Sequence, residues 1–310
     1  MQPARTPEVS SRRTLGEALA EGTVLLDGGL SNQLEAQGCD LSDALWSARL
    51  LADAPQQIEA AHTAYARAGA QVLITASYQA TFEGFERRGI GRTRAAELMA
   101  GSVESARRAG AVAGRERWVA ASIGPYGAML ADGSEYRGRY GMSVRELERF
   151  HRPRAETLAA AGPDVLALET VPDIDEAEAL LRVVQDLGVP VWLSYCAAGG
   201  LTRAGQSLEE AFGLVAGIDQ VVAVGVNCCD PADADRAVET AAATGKPVVV
   251  YPNSGECWDA AGRRWTGSST FAADRVRGWQ RAGARLVGGC CRVGPSDIAA
   301  LAERTGLPEA

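Results

Sequence analysis

Eight times along this chain a short apolar, largely β-branched run gives way to a stretch of helical periodicity. The runs are Thr23–Leu26, Gln71–Thr75, Trp118–Ile123, Asp164–Leu168, Val191–Tyr195, Val221–Cys228, Val248–Tyr251 and Arg285–Cys291. Runs of this length bounded by glycine or turn residues predict buried strands. The stretches between them predict helices over Pro55–Ala68, Arg94–Arg108, Ser143–Ala161, Asp175–Leu187, Ser207–Val215, Pro231–Ala243, Phe271–Ala282 and Ser296–Arg304. Local chemistry marks their ends. Pro55 and Pro295 sit near helix starts, Ser143 and Glu146 form a capping box, and Gly188 with Pro190 stops the fourth helix. Strand–helix alternation builds parallel βαβ units, and eight of them predict an α/β fold, a single (β/α)8 TIM barrel.

At 310 residues and 46% hydrophobic, the chain could fill one large core or two smaller ones. It shows no composition break and no low-complexity insert, so one barrel domain over residues 16–310 is expected. Residues 1–15 carry Arg5, Arg12 and Arg13 among prolines and serines, without an apolar signal core, and read as a flexible N-terminal tail. A net charge of −8 argues against a nucleic-acid partner. No apolar stretch approaches the roughly 18 residues of a membrane span. Seven cysteines, an odd number without an export signal, point to the reducing cytoplasm rather than to a disulfide framework. The loop Met129–Gly141 is too long for a plain connector and reads as functional or mobile. Oligomeric state is not legible.

A barrel of this kind carries its active site at the C-terminal ends of its strands. There the chain places Asp27, Thr75, Ser77, Glu169, Asn227, Cys228, Asn253, Cys290 and Cys291. Strand eight of a closed barrel pairs with strand one and lies near strand six. The thiols of Cys228, Cys290 and Cys291 can therefore meet over the mouth beside Asp27. Three thiolates with an open fourth position describe a catalytic zinc site. Cys229 should point away from Cys228 along the strand, and Cys39, Cys196 and Cys257 read as small buried hydrophobes. His62 and His151 fall inside helices away from the mouth, so no Ser-His-Asp or Cys-His mechanism is expected.

Zinc held by three thiolates carries a net charge of −1. A substrate thiol in the open position would bind as thiolate, where free in solution only a few per cent would be ionised at neutral pH. The soft ligands would leave that sulfur nucleophilic, and the negative centre would attract a cationic electrophile. Alkyl transfer to a thiol fits this chemistry, and hydrolysis does not.

The segments Gly225-Val226-Asn227-Cys228 and Gly288-Gly289-Cys290-Cys291 resemble the zinc motifs of the homocysteine S-methyltransferase family. So do Leu26-Asp27-Gly28-Gly29, Leu45-Trp46-Ser47-Ala48, the stretch Thr75 to Thr81 and the stretch Ala121 to Gly127. Gly133 to Gly138, Leu168-Glu169-Thr170 and Tyr251 to Glu256 resemble the branch using S-methylmethionine or S-adenosylmethionine rather than betaine. The resemblance implies zinc on Cys228, Cys290 and Cys291, with homocysteine sulfur as fourth ligand and methionine as product. It implies that Asp27 and Glu169 hold the homocysteine ammonium, as paired carboxylates would, and that Tyr78, Tyr126 and Asn253 line the methyl-donor pocket. No catalytic residue beyond the zinc-bound thiolate is implied. Cys229 departs from the hydroxyl residue of many relatives. Selenocysteine as acceptor, a non-catalytic thiol sensor and a metal-free barrel with inert cysteines are the alternatives. Asp27 and Glu169 speak against the sensor.

Overall fold

The computed structural model describes residues 12–42, 45–111, 117–259 and 264–306. Eight parallel strands form the barrel: β1 (Val24–Leu25), β2 (Val72–Ile74), β3 (Trp118–Ile123), β4 (Val165–Val171), β5 (Val191–Tyr195), β6 (Val221–Asn227), β7 (Val248–Tyr251) and β8 (Ala284–Val287). Each pairs with the next, β8 pairs with β1 through Val24–Leu286 and Leu25–Val287, and the Leu26–Val72 bridge joins β1 to β2. The fold is the (β/α)8 barrel that the alternation predicts.

The period of two along each strand sorts its residues into two cores. Val24, Val72, Trp118, Val165, Trp192 and Leu286 face inward and fill the barrel. Their neighbours Leu25, Leu73, Val119, Leu166, Leu193 and Val287 face outward and pack in the layer that also holds the helices. Burial on both faces is why the strands read as continuous apolar runs rather than as alternating ones.

Most predicted helices stand with ends shifted by one to a few residues. Ser143 caps the helix Val144–Ala160 in the expected box with Glu146. The helix expected from Phe271 begins at Arg275. The strand expected to run through Cys291 ends at Val287, because Gly288 and Gly289 turn the chain there.

The largest departure is at the start of the chain. Leu15–Glu21 is a helix, capped by Thr14 in a second capping box with Glu17. Its Leu15, Ala18 and Leu19 lie at helical spacing and join the inner core, closing the N-terminal end of the barrel. The Trp118 indole reinforces this by donating to the Arg13 carbonyl at 3.0 Å. Of the predicted tail, residues 1–11 lie outside the described residues. No helix among the described residues is long and apolar enough to cross a membrane.

Candidate metal centre and substrate site

Toward the C-terminal ends of the strands the inward-facing register changes from apolar to polar. Ser122, Glu169, Ser194, Asn227 and Tyr251 follow Ala120, Ala167, Trp192, Ala223 and Val249 at even spacing. They satisfy one another. Glu169 accepts from the Ser122 hydroxyl, and from Tyr251 at 2.9 Å. Ser194 bonds Tyr251 and the Asn227 amide oxygen, each at 2.8 Å. Asn227 then donates to the Thr170 hydroxyl at 2.7 Å. A hydrogen-bonded polar floor thus separates the apolar barrel from the mouth above it.

Inward parity belongs to Asn227, so regular alternation would send Cys228 outward. Cys228 instead adopts a left-handed backbone, φ 52°, rare for a residue with a Cβ. That turn brings its sulfur over the mouth, and Cys229 drops into the outer core. Cys229 does point away from Cys228, as expected, but the cause is this turn rather than strand alternation.

The second sulfur source is the loop after β8. A Cβ on Gly288 would stand 2.6 Å from the Leu26 Cβ, and one on Gly289 would stand 2.1 Å from the Val293 side chain. Two residues without side chains are therefore what lets this loop press against β1. Cys290 N–H then donates to the Pro252 carbonyl at 2.8 Å, and Cys291 N–H to the Asn253 amide oxygen at 3.1 Å.

The sulfurs of Cys228, Cys290 and Cys291 all lie within 4.8 Å of one another, with Cys228 and Cys291 3.8 Å apart. Tetrahedral zinc with bonds of about 2.3 Å needs sulfur–sulfur edges of about 3.8 Å. Spacing and donor chemistry both fit that ion. Hydrogen bonds from Cys290 and Cys291 hold the Cys228 thiol well below its ordinary acidity range, while the same bonds push Cys290 and Cys291 up. A divalent cation among these sulfurs would let all three ionise.

Both predicted carboxylates are at this mouth. Asp27 is almost wholly buried; one oxygen accepts from the Ile74 N–H at 2.8 Å and the other has no partner. Burial drives its pKa well above the usual carboxylate range, and the charge of Glu169 adds to the rise. Burial likewise pushes Glu169 up to about 7, although Ser122 and Tyr251 oppose it. Two buried acids, one with an unsatisfied oxygen, suit an ammonium ligand.

The three other predicted residues divide. The Tyr78 ring lies against Gly124, where a Cβ would come within 2.6 Å of it, and its hydroxyl is influenced by Glu135, Cys228 and Thr170. Asn253 sits on the cysteine loop, accepting from Cys291 N–H, and helps hold the Cys228 thiol's pKa down. Tyr126 stacks on Tyr140 and Phe150, at 5.2 and 4.8 Å between ring centres, and its N–H is held by Glu176 at 2.6 Å. Its recorded contacts are therefore packing.

Sequence reasoning missed Tyr136, whose hydroxyl lies 3.2 Å from the Cys228 sulfur, and Glu135 beside it, buried to 5% exposure. Both belong to the loop Met129–Gly141; its unusual length and the family resemblance of Gly133 to Gly138 were the signals, though neither gave these two residues a role. Cys196 is buried beneath the site and bonds the Cys228 carbonyl at 3.1 Å. The Cys257 side chain lies outside the described residues. His62 and His151 are buried, His151 between Glu176 at 2.9 Å and Arg154 at 2.7 Å.

Comparison with known proteins agrees with this geometry. A sequence profile described as homocysteine S-methyltransferase matches residues 24–305. A homocysteine S-methyltransferase of Escherichia coli (strain K12) is 45% identical, over 91% of this chain and 95% of its own. Homocysteine S-methyltransferase 4 of Zea mays is 44% identical, over 91% and 89%. The metallated form of the homocysteine methyltransferase MmuM from Escherichia coli superposes with a TM-score of 0.83 at 43% identity, covering 93% of this chain and 98% of that one. With its barrel, its three converging thiols and these matches over nearly its whole length, the chain belongs to the homocysteine S-methyltransferase family and is a methyltransferase.

Proposed function

We propose that this enzyme is zinc-dependent and moves a methyl group from a sulfonium donor, S-methylmethionine or S-adenosylmethionine, to the thiol of L-homocysteine, making methionine. The observation that carries this reading is the convergence of the Cys228, Cys290 and Cys291 sulfurs, within 4.8 Å of one another, beside two buried carboxylates. Those three residues would hold zinc, which as a Lewis acid would keep the acceptor thiol ionised at neutral pH without a general base. No histidine is needed for that task, in keeping with the burial of His62 and His151 elsewhere.

Asp27 and Glu169 take the homocysteine ammonium, fixing the amino acid so that its sulfur reaches the cysteines. Binding the cation restores the charge that burial suppresses, so both acids ionise as homocysteine enters. Asn253 and Tyr136 orient the Cys228 sulfur, and Tyr78 offers a ring face to the donor cation. The acceptor sulfur attacks the methyl carbon in line. The old carbon–sulfur bond breaks with its electrons returning to the donor sulfur. A neutral thioether leaves, so no proton has to be delivered to it. Free thiols at the working site require a reducing compartment, the cytoplasm.

The test is methionine formation by reduced, zinc-loaded protein given homocysteine with S-methylmethionine, S-adenosylmethionine or betaine in parallel. Turnover with a sulfonium and not with betaine is expected. Cys290→Ala should lose both the bound zinc and the activity, and full activity in a zinc-free variant would overturn the reading.

A further inference from the structure

The substrate ammonium accounts for Asp27 and Glu169, which leaves Glu135 as a buried acid at the mouth without a role. Glu135 sits in the loop between the helices Tyr126–Leu130 and Val144–Ala160. Its backbone is seated directly on Gly127, where a Cβ would come within 2.4 Å of the Glu135 nitrogen. The side chain is only 5% exposed, and its Oε2 is buried with no hydrogen-bond partner. No lysine, arginine or histidine pairs with it among the described residues. A carboxylate in that state is a poor structural element, because an isolated buried charge is destabilising unless something cationic answers it.

The neighbours of Glu135 indicate what would answer it. It influences the Tyr78 hydroxyl more strongly than any other charge does, and it feels the Cys228 sulfur. Tyr136, the next residue, touches that sulfur at 3.2 Å. One carboxylate and two phenol rings are thus gathered on the Cys228 side of the mouth. The charge of Glu169 acts on Asp27 and, less strongly than Glu135, on Tyr78, and neither Asp27 nor Glu169 is among the groups that shift Glu135. Aromatic faces with a single carboxylate suit a cation whose charge is carried on soft, methylated atoms.

We propose that Glu135 is the counter-charge for the sulfonium of the methyl donor. This rests on the sulfonium reading above. Before transfer the donor sulfur is positive and the acceptor sulfur negative. Afterwards the methyl carbon is bonded to the acceptor, the electron pair is back on the donor sulfur, and both sulfurs are neutral. Glu135 therefore attracts the donor and has no charge to hold in the spent thioether, so it favours binding of substrate over product. Because the positive charge is already falling in the transition state, Glu135 acts on donor affinity rather than on the chemical step.

The experiment compares wild-type enzyme with Glu135→Gln, zinc-loaded and reduced. Two ligands are titrated calorimetrically, S-methylmethionine and homoleucine, the uncharged isostere with CH in place of the sulfonium. Wild type should prefer S-methylmethionine by at least about tenfold, and Glu135→Gln should lose most of that preference while homoleucine affinity stays put. In steady state the variant should show a raised donor KM and a kcat that is not lowered, with homocysteine KM and zinc content unchanged. An undiminished preference in Glu135→Gln, or an equal rise in homocysteine KM, overturns the assignment while wild-type turnover leaves the sulfonium reading intact. Wild-type enzyme that neither binds nor turns over a sulfonium overturns both. If the glutamine variant does not fold, the wild-type preference alone decides: parity between the two ligands refutes a counter-charge.

Discussion

His62 shows what a single residue costs when the fold has no partner for it. It lies in the helix Pro55–Arg67 with both ring nitrogens buried and unbonded. Burial alone holds its pKa down at about 4. Between the ordinary value near 6.5 and about 4, the unfolded chain binds a proton that the folded chain refuses. The stability that His62 contributes as a neutral group is therefore complete above about pH 6.5 and is lost as pH falls toward 4, on the order of 3 kcal/mol in all. Urea unfolding of His62→Leu should show a flatter decline between pH 7 and pH 4.5 than wild type. Asn253 belongs to the same scale but acts on the candidate metal centre. Asn253→Ala removes the acceptor of the Cys291 N–H and should weaken zinc about 10- to 100-fold in chelator competition, with the fold retained. The cysteines themselves were legible, because Gly-Gly-Cys-Cys after a buried run is hard to read otherwise. The left-handed turn at Cys228 was not, since nothing in a β-branched run announces a positive φ. Glu135 was hidden for another reason: a loop has no periodicity from which the direction of a side chain can be inferred.

Elements were legible to the extent that their local signals were complete. The helix Val144–Ala160 has a capping box and a strong apolar stripe, and its start was anticipated at Ser143. Ser143→Ala should cost about 1 kcal/mol in chemical denaturation, with no change in zinc content. Strand lengths were overestimated wherever an apolar run continued into a functional turn, as at Val287 and Asn227. The helix Leu15–Glu21 is not legible, and its Leu15 falls inside the expected tail, because seven residues carry too little pattern on their own and the apolar side is explained only by the open barrel end it covers. The loop after β8 is an element whose shape is set by steric room. Gly289→Ala puts a methyl where Val293 already lies, so the loop must shift and carry Cys290 and Cys291 out of place. The expected outcome is a folded barrel by circular dichroism that retains little zinc after dialysis.

The molecule as a whole is a ring with a stopper. The inner core is sealed at one end by Leu15, Ala18 and Leu19 and floored at the other by the polar network under the mouth. Leu19→Ala opens a void next to the barrel interior and should lower stability by about 2–5 kcal/mol without altering donor or acceptor KM, because the cavity lies at the opposite end from the cysteines. The ring closes where Val24 pairs with Leu286, two residues separated by most of the chain. Closing so long a loop has a large entropic cost before any contact repays it, and it makes folding slow. A nascent chain on the ribosome cannot complete the barrel until its last strand has emerged. Cys290 and Cys291 follow that strand, so two of the three sulfurs are synthesised only after every strand of the barrel. A metal held by these sulfurs would then be loaded late in maturation, and a chain arrested just short of Cys290 would carry all eight strands with only one of the three sulfurs.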